Sequence, residues 1–128
     1  MTKAVVCPAG SAPPLAPYSP GIAADGVLYV SGMLAMDAQG NTVGVGDVRA
    51  QARCVLDSVQ AVVQAAGGSM ADVVYNMIFL KDLADYPAFN EVYGTYFASR
   101  PPARFCIRAD LVKPEFLVEV TSIAHVGA

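Results

Sequence analysis

Two stretches toward the C-terminal end alternate in a way that collects polar groups. In ARFCIRA, Arg104, Cys106 and Arg108 share one side, opposite Phe105 and Ile107. In LVEVTSIAHV, Glu119, Thr121 and His125 fall together, opposite Val118, Val120 and Ala124. The reason is the period of two in an extended chain. Two successive strands of this kind are expected to offer their polar groups from one side of a sheet. A guanidinium beside a carboxylate in so apolar a chain has two meanings. It is an ion pair tying two strands together, or it is a site where Arg104 grips an anion and Glu119 moves a proton. Spacing leaves both open.

Other reactive groups have plainer readings. Ser31-Gly32 at a strand end could present a hydroxyl and a backbone N–H, or simply make a turn. There is no GxSxG, and the one histidine, His125, has no visible triad partners. Cys106 lies beside arginines, which lower a thiol's pKa, but a small packed cysteine is the simpler expectation. The histidine, cysteines and carboxylates lack metal-ligand spacing, and the glycines make no phosphate loop. Neither a metal nor a nucleotide cofactor is expected.

The elements that must position these groups follow from periodicity. The stretch from Pro8 to Gly21 is rich in proline and reads as a stiff, extended loop; composition alone would equally allow a disordered arm, and Tyr18 in its middle favours a loop that returns to the body of the protein. Residues 22–36 read as strand, Asp25-Gly26 turn, strand, and VLYVSGM is apolar enough to be covered on both sides. After a glycine-rich loop, Asp47 is expected to cap a helix to Ala66, stopped by Gly67-Gly68. Val48, Ala52, Val55, Leu56, Val59, Val62, Val63 and Ala66 form its apolar stripe. ADVVYNMIFL is a strand. Asp85 is expected to cap a second helix from Tyr86 to about Ala98, with Phe89, Val92, Tyr93, Tyr96 and Phe97 buried. The two C-terminal strands complete the order β-β-α-β-α-β-β. That order predicts an α+β domain spanning 1–128, with a mixed sheet and both helices on one face.

Composition limits the function classes. Apolar residues make up 55 % of the chain and charged ones 15 %, more grease than one small globule hides, so a subunit interface is expected. A formal charge of -3 disfavours broad binding to nucleic acid, although one local cation can still select an anion. Three cysteines without CxxC spacing fit a reducing cytoplasm. The first residues hold too many prolines for a signal peptide's apolar core, and no apolar run suffices to span a bilayer.

The stretches PYSPG, LYVSG, QARCVLDSVQAVVQAAGGSMADVV, FLKDLADYPAFNEVY, PPARFCI and VEVTSIA resemble, in order and spacing, the Rid/YjgF family of reactive-intermediate deaminases. The likeness implies a chorismate-mutase-like fold, a homotrimer around a central barrel, and active sites in the clefts between subunits. It implies that Arg104 binds a substrate carboxylate with help from the backbone of Cys106. Glu119 would handle the water, and Tyr18, Ser31, Gly32 and Asn90 would line the cleft. The implied reaction is cofactor-free hydrolytic deamination of small enamine or imine acids. PARFCI, LVKP and the ending IAH point within the family to 3-aminoacrylate, an intermediate of pyrimidine catabolism. Many relatives carry Gln after the Ser-Gly pair where this chain has Met33, which bears on substrate range. The competing expectations are a broader 2-iminoacid or 2-aminoacrylate deaminase, a nuclease or translation inhibitor, and a non-catalytic carboxylate-binding module.

Overall fold

The computed structural model describes residues 2–11 and 13–127. Its strands are β1 (Ala4–Val6), β2 (Gly21–Ala24), β3 (Val27–Met33), β4 (Val73–Leu80), β5 (Ala103–Arg108) and β6 (Val118–His125). Its helices are α1 (Val48–Ala65) and α2 (Tyr86–Tyr96), each preceded or followed by short 3-10 turns at Met70–Asp72 and Leu83–Asp85. The strands form one sheet in the order β1-β2-β3-β6-β4-β5. β4 and β5 run parallel, and every other neighbouring pair is antiparallel. The mixed α+β architecture is the expected one, with a three-residue edge strand, β1, added before the proline-rich loop. No helix of the described residues is long and apolar enough to cross a membrane.

Local chemistry explains the boundaries. Asp25 and Gly26 both have positive φ, and they join β2 to β3 as the two-residue turn that right-twisted hairpins favour. The Asp47 carboxylate accepts the Ala50 N–H at 3.1 Å and caps α1. At the other end the Gly67 and Gly68 N–H groups donate to the carbonyls of Gln64 and Val63, with Gly67 at φ 88. This is the glycine C-cap that doubles back on the last turn. α2 departs from expectation. Asp85 occupies the N-cap position without a side-chain hydrogen bond, and Asp82 instead accepts from the Ala84 N–H. The helix ends at Tyr96, two residues early.

The core lies between one sheet face and the helices. Leu28, Val30, Ile78, Leu80, Val118 and Val120 pack with the α1 stripe and with Phe89 and Val92 of α2. The opposite face carries Tyr29, Tyr75, Met77, Phe79, Phe105, Ile107 and Ile123. Tyr29 and Ile107 are about half exposed, at 50 % and 49 %. Thus β3 is covered on one side only within the chain, not on both.

Gln51 is fully buried on α1 and holds the site-bearing loops to the helix. Its Nε2 donates to the carbonyls of Gly44 and Glu115, and its Oε1 accepts the Leu117 N–H at 2.8 Å. Gln51→Leu removes three bonds while keeping most of the volume. Orphaned buried groups are costly, so the variant should lose about 2–4 kcal/mol of stability, read as a lower urea midpoint with an unchanged slope.

Candidate active site

Arg104 points from β5 toward α2 into an aromatic and amide clamp. Its Nη2 donates to Asn90 Oδ1 at 2.9 Å and to Tyr86 Oη at 3.0 Å. Its Cζ lies 4.7 Å from the centre of the Tyr93 ring and 5.6 Å from that of Tyr86, so two π faces hold the cation. Nη1 is buried and has no hydrogen-bond partner among the described residues. A buried donor on a cation is costly to leave unpaired, and the planar fork suits a carboxylate. Cys106 lies two residues along the same strand face, half-buried. Burial pushes its thiol pKa up from 9.0, against a smaller downward pull from Arg104. The sulfur is therefore a neutral thiol near pH 7 and a packing group, as its sequence context suggested.

Glu119 lies in a second cluster, built on a bulge. The register between β3 and β6 runs from Val30↔Ser122 to Met33↔Val120, so Ser31 and Gly32 together oppose Thr121. The extra residue re-aims the strand. Gly32 leaves the room that the bulge needs, since a Cβ there would overlap the Glu119 carboxylate and crowd Thr121 Oγ1 at 3.3 Å. Ser31 pins the proline-rich loop. Its hydroxyl donates to the Ser19 carbonyl at 2.5 Å and its N–H to the Pro20 carbonyl at 2.9 Å. The pinned loop brings Tyr18 to a cavity of about 680 Å³, whose walls include Ser31, Gly32, Val112, Lys113 and Glu119. Burial alone raises the Glu119 pKa above its ordinary 4.5. Its proton is therefore held to a higher pH than that of an exposed glutamate.

The two clusters do not face each other within one chain. Arg104 lies across from Asn76 of β4, whereas Glu119 lies across from Phe79 of the same strand. An offset of three along β4 puts them on opposite sheet faces. Arg104 and Cys106 are on the helix-covered side with the buried Asn76 and Ile78, and Glu119 and Thr121 are on the open side. The expectation that ARFCIRA and LVEVTSIAHV offer polar groups from one side is therefore corrected, and with it the Arg104–Glu119 ion pair. The only salt bridge among the described residues joins Arg49 to Glu91 at 2.7 Å. Each strand was read correctly by itself, but the phase between them depends on β4, which lies between them.

All seven sequence candidates fall into these clusters: Arg104, Asn90 and Cys106 in the first, and Glu119, Ser31, Gly32 and Tyr18 in the second. His125 is exposed at the end of β6 and belongs to neither. Sequence reading missed Tyr86 and Tyr93, whose rings hold Arg104, because Tyr93 sat inside an apolar helical stripe. It also missed Asn76, the one amide in the run VVYNMIFL. A buried amide needs partners, and that anomaly was the available signal.

The chain is similar to known proteins in sequence and in fold. A family model described as Endoribonuclease L-PSP matches residues 9–126. The 3-aminoacrylate deaminase RutC of Acinetobacter baylyi is 50 % identical over 126 residues, covering 98 % of this chain and 100 % of that protein. Among solved structures, the Rid-family protein YyfA of Yersinia pestis aligns with a TM-score of 0.91 at 30 % identity, over 98 % of this chain and 100 % of that one. E. coli TdcF, solved with bound serine, aligns with a TM-score of 0.88 at 28 % identity, over 98 % and 99 %.

Gly32→Ala should act on Glu119 without unfolding the bulge. The overlapping atom is the end of a flexible side chain, so melting should change little. The carboxylate must leave its half-buried position, and its pKa should fall back toward 4.5. A carbon-13 NMR titration that gives the same raised pKa in both proteins would sink this reading.

Proposed function

Because the chain belongs to the Endoribonuclease L-PSP family, the Rid/YjgF proteins, we propose that it hydrolyses 3-aminoacrylate to malonic semialdehyde and ammonia, serving pyrimidine catabolism. The observation that carries the reading is the buried, unpartnered Nη1 of Arg104 in its clamp, a donor site shaped for a carboxylate. The half-identity to RutC over the full chain supports the choice of enamine acid. The serine bound to TdcF is likewise a small amino carboxylate.

The chemistry needs positioning and proton traffic. Arg104 anchors the substrate carboxylate. Protonation of the carbon next to the carboxylate converts the enamine to an iminium, making the amine-bearing carbon electrophilic. Water adds to that carbon and gives its proton to Glu119. The resulting carbinolamine expels the amine with the C–N electron pair, and the nitrogen takes up a proton as ammonia leaves. The remaining hydroxyl oxygen becomes the aldehyde oxygen on loss of its proton. Glu119, with its raised pKa, both accepts and returns protons. Tyr18, Ser31 and Gly32 shape the wall beside it, Asn90 fixes the guanidinium, and the Cys106 backbone adds contact to the carboxylate. The reaction uses no metal or organic cofactor.

Arg104 and Glu119 on opposite faces can serve one substrate only if neighbouring chains supply them. The open face of Tyr29, Phe105 and Ile107 is apolar enough to be an interface. The functional unit is a homotrimer with its open sheet faces turned inward as a barrel and three shared clefts. The family description names an endoribonuclease. A net charge of -3 and a single clamped cation favour a small anion over a polyanion, and salt-steep RNA binding would reverse that preference.

Arg104→Ala should abolish binding of a small carboxylate in a folded protein, and Arg104→Lys should restore charge without the fork and recover little. Calorimetry showing unchanged affinity in Arg104→Ala would refute the anchor. For Glu119, the rate should rise with pH through a pKa above 4.5, because the base works when deprotonated. Glu119→Gln should erase that limb and cut catalysed ammonia release by about 10²–10⁴-fold. Co-expression tests the shared site: mixed trimers of Arg104→Ala and Glu119→Gln chains should regain about a quarter of the wild-type rate, since random mixing gives that share of clefts both intact groups. No recovery in verified mixed trimers would place both residues' work within one chain.

A further inference from the structure

Beneath Arg104 runs a chain of buried polar groups that the reaction as described does not use. Ser122 of β6 and Asn76 of β4 are fully buried, and Tyr93 of α2 is only 6 % exposed. The Ser122 hydroxyl donates to Asn76 Oδ1 at 2.5 Å, and Asn76 Nδ2 donates to Tyr93 Oη at 2.9 Å. The direction matters. With the Ser122 hydroxyl donating to its oxygen, the amide presents an N–H, not a carbonyl, to the phenol. Tyr93 must then accept through its oxygen, and its own proton has no acceptor among the described residues. The ring centre lies 4.7 Å from the Arg104 Cζ, beside the guanidinium that carries the other unpartnered donor, Nη1.

We propose that Tyr93 is a further carboxylate-binding residue, its hydroxyl proton donated to the same substrate carboxylate that Arg104 Nη1 engages, and that Ser122 and Asn76 are the positioning residues that keep this proton free for it. The proposal rests on the reading of Arg104 as the carboxylate anchor. Two unspent donors at neighbouring positions, one of them charged, make a better anion hole than the fork alone. Burial also raises the phenol's pKa above its ordinary 10.0, overcoming the opposing pulls of Asn76 and Arg104. The hydroxyl therefore stays protonated, as a donor must, across the working pH range. A network placed only to satisfy Asn76 would need no particular direction, whereas a donor to a ligand needs this one.

The experiment measures the dissociation constant for propionate, an inert carboxylate, together with KM, kcat and melting, in the full-length protein. Tyr93→Phe keeps the ring under the guanidinium and removes only the hydroxyl. It should weaken propionate binding by about 10–100-fold, the loss of one hydrogen bond to a charged group, with the change in KM exceeding that in kcat. Ser122→Ala touches no ligand. It frees the Asn76 amide to turn its carbonyl toward Tyr93 and capture the proton, and should weaken propionate by about 3–10-fold. Ser122→Thr retains the hydroxyl and should bind like the wild type. If Tyr93→Phe fails to fold, the Ser122 pair decides. Unchanged propionate affinity in folded Tyr93→Phe or in Ser122→Ala, while Arg104→Ala loses binding, overturns this proposal and leaves the anchor standing. Unchanged affinity in Arg104→Ala overturns the anchor itself.

Discussion

Strand β4 is hydrogen-bonded to β6 on one side and to β5 on the other, and the two ladders fix where every candidate group points. Arg104 is opposite Asn76 and Glu119 is opposite Phe79. With a side-chain period of two, that separation of three residues cannot be undone by rotamers. One group is delivered to the helix side and the other to the open side. From this follow the aromatic clamp around the guanidinium and the cavity around the carboxylate, and, for the proposed reaction, the need for a second chain to unite them. A slip of one residue in either ladder would put both groups on one face.

The scarcity of charge makes each charged group consequential. In a chain with 15 % charged residues, Arg104 meets no carboxylate and Glu119 meets no guanidinium. Tyrosine rings and an amide hold the cation, while burial alone shifts the acid. Both keep the property that a partner of opposite sign would cancel, an unspent donor on one and a raised pKa on the other. The same logic extends inward to Ser122, Asn76 and Tyr93, where each polar atom is spent on a specific neighbour and the direction of the bonds leaves one proton over.

The bulge at Ser31-Gly32 shows how little sequence such a device takes. One extra residue in β3 and one missing Cβ make room for the Glu119 carboxylate. The Ser31 hydroxyl, which a sequence reading could offer as a reactive group, is engaged with the Ser19 carbonyl. It fixes the proline-rich loop, and through that loop the position of Tyr18. The residue belongs to the site through geometry more than through its own reactivity.

Local signals were legible in the sequence wherever the physics is local. The Asp47 cap, the Gly67-Gly68 stop, the Asp25-Gly26 hairpin and the α1 stripe each depend on residues within a few positions of one another, and so they could be read from type and spacing. The α+β class followed from the order of those elements, and the candidate residues from alternation joined to a family likeness. Three things could not be read this way: the phase of β5 against β6, the donor direction in the Ser122–Asn76–Tyr93 chain, and the separation of the candidates into two clusters. Each depends on contacts between residues far apart in the chain, such as Asn76 with Ser122 and Arg104 with Asn90. Alternation assigns a side chain to one of two faces, but only the ladder between strands decides whether two such faces are the same.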